Sequence, residues 1–216
     1  MAGFRGVYPA LITPMTAGGE LNEAALREVI EFNIQAGVHG FWVAGGTGES
    51  VLLEDEENMR IAEIVSDQAR GRIENIMHVG AATTARAVKL AEHAAKSGVE
   101  AICCVPPFFY RQSDEAIVEH YKAVGAAADL PLFVYNLPQS TGVEITPELM
   151  LKIQERVPQL KGSKHSALTF ANVRSFNNMG LPCLIGNSLL MLPALTIGAT
   201  GCVDGPPNVA PELWVE

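Results

Sequence analysis

Asn22 to Ser50 reads NEAALREVIEFNIQAGVHGFWVAGGTGES, and the order of elements in this stretch sets the pattern for the whole chain. Ala25, Leu26, Val29, Ile30 and Ile34 recur at helical spacing and put one apolar face on a helix over Asn22 to Ala36. Gly37 stands where that helix should end, since glycine readily adopts the left-handed conformation that closes a helix. The apolar run Gly40 to Ala44 then reads as a buried strand, and it breaks off into the glycine-rich Gly45 to Ser50.

The same phrase returns further along. Ala36-Gly37-Val38 is matched by Ser97-Gly98-Val99 and Ile197-Gly198-Ala199, each marking a return from helix to strand. Strand-like runs are Gly6 to Thr13, Gly40 to Ala44, Ile76 to Ala81, Ala101 to Val105, Leu132 to Tyr135, Leu160 to Lys164, Cys183 to Ile185 and Gly201 to Val203. Helical patterns lie between them over Asn22–Ala36, Glu54–Gln68, Thr83–Ser97, Asp114–Ala128, Thr146–Arg156, Phe170–Met179 and Leu189–Ile197. Thr146-Pro147 offers a cap followed by proline at the first helical position, and Ser113-Asp114-Glu115 supplies an acidic first turn. Strands that alternate with helices eight times point to a (β/α)8 TIM barrel. An open doubly wound sheet is the rival, but no G-x-G-x-x-G follows an early strand. Only Asp204 to Glu216 follow the eighth strand, whereas such barrels run to about 250 residues. The expectation is one barrel domain over 1–216, C-terminally truncated and lacking the last helix and the C-terminal helical segment.

Composition bounds the function. The 216 residues are 48% hydrophobic and 18% charged, with a mean hydropathy of +0.18, which supplies a sizeable core. A net charge of -9, a pI near 5.1 and the lack of any basic cluster argue against a nucleic-acid partner. Cys103, Cys104, Cys183 and Cys202 show no C-x-x-C spacing and lie in apolar runs, so they read as buried reduced thiols of a cytoplasmic protein. Met1 to Tyr8 has no charged segment leading into an apolar one, so no signal peptide is expected, and no apolar run is long enough to span a membrane.

Barrel active sites gather at the C-terminal ends of the strands. Those ends hold Thr13-Pro14, the Gly45–Ser50 loop, the Val105–Tyr110 loop, Tyr135, Lys164 and Gly186-Asn187. An ammonium at the inner end of a strand is costly to bury, and the neutral amine is the form that attacks a ketone to give a Schiff base. Lys164 in Leu160-Lys161-Gly162-Ser163-Lys164-His165-Ser166 is therefore a candidate nucleophile. Gly46, Thr47 and Gly48 form a turn whose amides can converge on an anion. Tyr135 is placed to move protons for imine chemistry. Strand alternation directs His165 away from Lys164, toward a packed position. Arg111 reads as a solvated loop residue.

Gly-Gly-Thr-Gly-Glu-Ser, Tyr-Asn-Leu-Pro and Gly-Ser-Lys-His together resemble the dihydrodipicolinate synthase / N-acetylneuraminate lyase family, in order and in spacing. The likeness runs from Gly6 to Pro211 and takes in Ile12-Thr13-Pro14-Met15 and Gly198-Ala199-Thr200-Gly201. The resemblance implies a class I aldolase, lyase or related hydro-lyase acting on 2-oxo acids such as pyruvate, with no metal or organic cofactor. By the same resemblance Lys164 is the Schiff-base lysine and Tyr135 the proton shuttle. Gly46 and Thr47 bind the 2-oxo acid carboxylate, and Ser166, Gly186 and Val203 complete the substrate-binding set. Relatives are often tetramers built from dimers, so a homo-oligomer is implied, with no membrane partner.

Departures narrow the substrate. The dihydrodipicolinate synthases have a second threonine where Gly46 stands, a relay tyrosine where Phe109 stands, and a carboxylate-gripping arginine where Ser140 stands. The sialic acid lyases share a hydroxyl residue at Ser166. Their acidic pair aligns with Ser188 and Leu189, and their glycine-serine-threonine-tyrosine stretch with Asp204-Gly205-Pro206-Pro207. The expectation is a different acceptor aldehyde, with N-acetylneuraminate lyase and 4-hydroxy-tetrahydrodipicolinate synthase proper as alternatives. A non-catalytic 2-oxo-acid binder and a phosphate-binding barrel isomerase are the readings from other classes.

Overall fold

The computed structural model describes residues 3–216; Met1 and Ala2, the start of the stretch read for a signal peptide, lie outside the described residues. Eight strands form one parallel sheet: β1 (Gly6–Pro9), β2 (Gly40–Val43), β3 (Glu74–His78), β4 (Ala101–Cys104), β5 (Leu132–Asn136), β6 (Leu160–His165), β7 (Cys183–Ile185) and β8 (Gly201–Asp204). Neighbours follow chain order from β2 round to β8, and β8 pairs with β1. The ring closes between β1 and β2 through a parallel bridge of Ala10 with Trp42. His39 N donates to Val7 O at 2.9 Å, and Leu11 N to Trp42 O at 3.0 Å. The eightfold alternation read from the sequence is thus a TIM barrel.

Both faces of each strand are covered, which is why the strands read as continuous apolar runs rather than alternating ones. Val7, Phe41, Val43, Met77, Ile102, Val134 and Ile185 pack outward against the helices. Tyr8, Trp42, Ile76, Phe133, Tyr135, Leu184 and Val203 fill the barrel interior. The floor of that interior is Tyr8, whose hydroxyl donates to the Glu74 carboxylate. Burial, reinforced by the Glu74 charge, pushes the Tyr8 phenol up and keeps it protonated.

The outer layer begins with α1 (Glu23–Gln35), α2 (Asp55–Ala69), α3 (Thr84–Ser97) and α4 (Asp114–Ala128). It continues with α5 (Pro138–Thr141), α6 (Pro147–Arg156), α7 (Asn172–Asn178), α8 (Met191–Thr196) and α9 (Glu212–Val215). Asn22, Thr83, Ser113 and Thr146 each cap a helix by accepting from a backbone N–H of its first turn. Such a cap contributes about 1 kcal/mol.

Some boundaries differ from the sequence reading. β1 ends at Pro9 rather than Thr13, because the Thr13 hydroxyl turns aside to donate to Gly48 O at 2.7 Å and Pro14 has no N–H for a ladder. The pattern expected over Leu189–Ile197 divides into a 3-10 turn, Ser188–Leu190, followed by α8. After β8 come a 3-10 turn, Pro206–Asn208, and then α9. Asn208 pins this end of the ring: its amide donates to Ala10 O at 2.7 Å and Gly205 O at 2.8 Å. Among the described residues no helix is long and apolar enough to cross a membrane.

A Cβ at Gly40 would collide with the Tyr8 ring and the Glu74 carbonyl. Gly40→Ala should therefore overpack the floor and cost about 1–3 kcal/mol. The check is the urea midpoint, and an unchanged midpoint would show slack that this packing does not predict.

Candidate active site

β5 and β6 lie in register with Tyr135 opposite Lys164. Lys164 is only 4% exposed, and its Nζ stands 4.4 Å from the Tyr135 ring centroid and 5.2 Å from that of Trp42. Among the described residues no carboxylate pairs with it. Gly186, just beyond β7, leaves the space that the lysine occupies. A Cβ there would lie 2.8 Å from Lys164 Cε and inside contact distance of Ser166 Oγ. Ser166 is buried, and among the described residues its hydroxyl has no hydrogen-bond partner. The sequence-derived Lys164, Tyr135, Ser166 and Gly186 thus converge. Val203 is fully buried in the barrel interior.

Gly45–Ser50 is a compact turn at the end of β2. Glu49 N donates to Gly46 O at 3.1 Å, Ser50 N to Gly45 O at 3.4 Å, and Thr13 ties Gly48 from the side. Ala44 and Glu49 hold φ of 50° and 57°, left-handed values that cost a side-chain-bearing residue strain. In return Gly46 and Thr47 are exposed, and among the described residues no acceptor takes their amides. Thr47 faces the start of the loop after β8, with a Cβ at Gly205 3.8 Å from its Oγ1. A Cβ at Gly46 would come 3.6 Å from the Tyr135 hydroxyl. Free amides beside a phenol and a buried amine form a seat for a small anion.

A cavity of about 260 Å3 opens above Tyr135, between this turn, the ends of β3 and β4, and α5. Val51, Val105, Phe108 and Leu137 supply its apolar wall, and Ser50, His78, Ser140 and Thr141 its polar edge. Lys164, Thr47, Ser166 and Gly186 do not line it; Gly46 and Tyr135 do, and Lys164 Nζ stands over the Tyr135 ring.

Sequence reasoning missed His78 and Trp42. His78 packs edge-on to Tyr135, with centroids 6.1 Å apart. Its Nδ1 is 3.2 Å from Ser50 Oγ, and among the described residues its Nε2 has no partner. Burial, then the nearby Lys164 charge, lowers its pKa to about 4. The signal available was a single polar residue two places after inward-facing Ile76. His165 is turned outward as alternation required: its Nε2 donates to Thr169 O at 3.2 Å and its ring meets Phe176.

Other expected positions are spread around the rim. Ser140 lines the cavity, while Phe109 is 83% exposed with φ 79° and lies outside it. Ser188 donates to the Asp204 carboxylate, which also accepts from Gly205 N at 2.8 Å, and Leu189 is exposed. Arg111 is exposed, as read. Among the described residues no three His, Cys, Asp or Glu side chains cluster closely enough to hold a metal ion.

Comparison with known proteins adds three findings. The model of the dihydrodipicolinate synthetase family matches residues 3–216. A 4-hydroxy-tetrahydrodipicolinate synthase of Syntrophus aciditrophicus (strain SB) is 35% identical over 210 residues, covering 96% of this chain and 72% of that protein. Two solved structures superpose closely. The Clostridium difficile protein CdNal, in complex with mannosamine, is 30% identical with a TM-score of 0.95, over 99% of this chain and 74% of that one. A catalytic-lysine mutant of the Ruminococcus gnavus sialic acid aldolase is 27% identical with a TM-score of 0.94, over 98% and 70%.

The buried histidines set a pH dependence. His78 and His120, the latter held between Thr84 and Cys104, both fall to about 4 through burial, and His165 shifts the same way. In the unfolded chain histidine protonates near 6.5, so between there and about 4 the unfolded state binds the extra protons. Stability is full above that window and falls as pH drops through it, by up to about 1.4 kcal/mol per pH unit for each histidine. Urea midpoints measured at pH 7 and pH 5 should show the decline, and His120→Gln should reduce its slope.

Proposed function

The chain belongs to the dihydrodipicolinate synthetase family, and on that premise we propose that it is a carbon–carbon lyase of the class I aldolase kind. It condenses a 2-oxo acid of the pyruvate type with an aldehyde, or cleaves the product, through an imine on Lys164. The observation that carries this reading is the buried Lys164 amine, free of any carboxylate among the described residues, facing Tyr135 beside a turn with free amides. Its relatives include a protein named as a synthase and one named as a sialic acid aldolase with a catalytic lysine.

The donor carboxylate rests on the Gly46 and Thr47 amides, which turns its ketone carbon toward Lys164. Neutral Nζ attacks that carbon, and loss of water leaves an iminium that acts as an electron sink. Removal of a proton from the adjacent carbon gives an enamine, which attacks the aldehyde carbon to form the new C–C bond. The aldehyde oxygen takes a proton and becomes a hydroxyl. Water then hydrolyses the iminium and frees the lysine. Tyr135 relays these protons, Ser166 offers its unpaired hydroxyl to the intermediate, and Gly186 and Val203 shape the bed beneath it.

The protein works as a homo-oligomer in the cytoplasm. Exposed Val51, Leu52, Phe109 and Tyr110 support self-association, and four free buried cysteines suit a reducing compartment. Three differences from the synthases, at Gly46, Phe109 and Ser140, weigh against their acceptor as the substrate here.

Borohydride added with pyruvate should leave one stable pyruvate-derived mass on Lys164, detected by intact-protein mass spectrometry. Lys164→Ala should abolish it, and a wild-type protein that gains no mass sinks the aldolase reading. Tyr135→Phe should keep the fold while lowering turnover by about 10²–10⁴.

A further inference from the structure

Resting on the Schiff-base reading, we infer that the acceptor is an uncharged aldehyde with an apolar body, bound in the cavity between Phe108 and Leu137 and selected against carboxylate-bearing aldehydes. The cavity adjoins Tyr135, the group that must protonate the aldehyde oxygen, so an aldehyde there presents its carbonyl to the reacting centre. Val51, Val105, Phe108 and Leu137 give its body apolar contact. Apart from the Glu49 carboxylate at the mouth, its polar side chains are hydroxyls and an imidazole that burial keeps uncharged.

Among the described residues no cation lines this space. Arg86, which borders the adjoining cavity behind His78, is held by the Asp55 carboxylate and by Leu53 O. Lys164 is committed to the imine. Among the described residues the one charged residue at the mouth is Glu49, an anion. A carboxylate carried in by the acceptor would lose its hydration, meet no positive partner and face that anion. The unpaired Nε2 of His78 offers one hydrogen bond, which suits a neutral oxygen of the acceptor. In the reaction the enamine carbon bonds to the aldehyde carbon, the aldehyde oxygen takes the Tyr135 proton, and water releases the product from Lys164.

The test compares two acceptors of matched shape, butanal and 4-oxobutanoate, with saturating pyruvate, and reads kcat/KM from product formation. Butanal should be favoured at least tenfold. Ser140→Arg, which adds a cation at an exposed rim position, should raise kcat/KM for 4-oxobutanoate at least tenfold. Equal rates, a preference for the anion, or reaction with neither while the borohydride trap still labels Lys164 would overturn the acceptor assignment alone. Failure of the trap instead removes the Schiff-base reading. The cavity is then judged by ligand-observed NMR in saturating pyruvate, where binding of benzamide over benzoate upholds its selectivity and the reverse order overturns it.

Discussion

An amine held inside the barrel without a counter-charge is the constraint around which the rest of the upper barrel is arranged. Lys164 lies against the faces of Tyr135 and Trp42, where a desolvated cation–π contact contributes about 2 kcal/mol. That offsets only part of what it costs to bury an ammonium. The neighbours respect the same condition. His78 stays uncharged, partly because Lys164 is near, and Gly186 yields the volume the lysine stem requires. The charge of one residue and the size of another are both consequences of where one amine sits.

The frame around it is fixed from several directions. Asn136, at the end of β5, donates to Ile145 O at 3.1 Å and accepts from Ile145 N at 3.0 Å, so a side chain completes the backbone pairing of the loop that follows. Asn208 does the same service between β8 and β1. On the outer surface Arg27, Arg60 and Glu23 link α1 to α2 in a chain of ion pairs. Exposed pairs contribute at most about 1 kcal/mol each, so the two packed cores rather than these bridges carry the fold.

The sequence made the barrel legible because burial on both strand faces leaves unbroken apolar runs, and because Ser113 and Thr146 announce their helices chemically. It did not reveal α5, where Pro138 opens a single turn too short for periodicity to register. Lys164 and Tyr135 could be found as strand-end residues in matching motifs. His78 could not be separated from an ordinary core histidine, since its importance lies in meeting Tyr135, two strands away on β5. The left-handed backbone at Ala44, Glu49 and Phe109 was equally hidden, because tertiary contacts impose it on residues with no intrinsic preference for it.

Trp42 carries one further consequence. Only two tryptophans occur in the chain, and this one lies 5.2 Å from the Lys164 amine and 5.5 Å from the Tyr135 ring centroid, with an indole N–H that has no partner among the described residues. Any change in the charge or covalent state of the lysine therefore occurs beside a native fluorophore. The barrel carries its own optical reporter, and the emission of Trp42, isolated by replacing Trp214, should follow occupancy of the site in real time without any label.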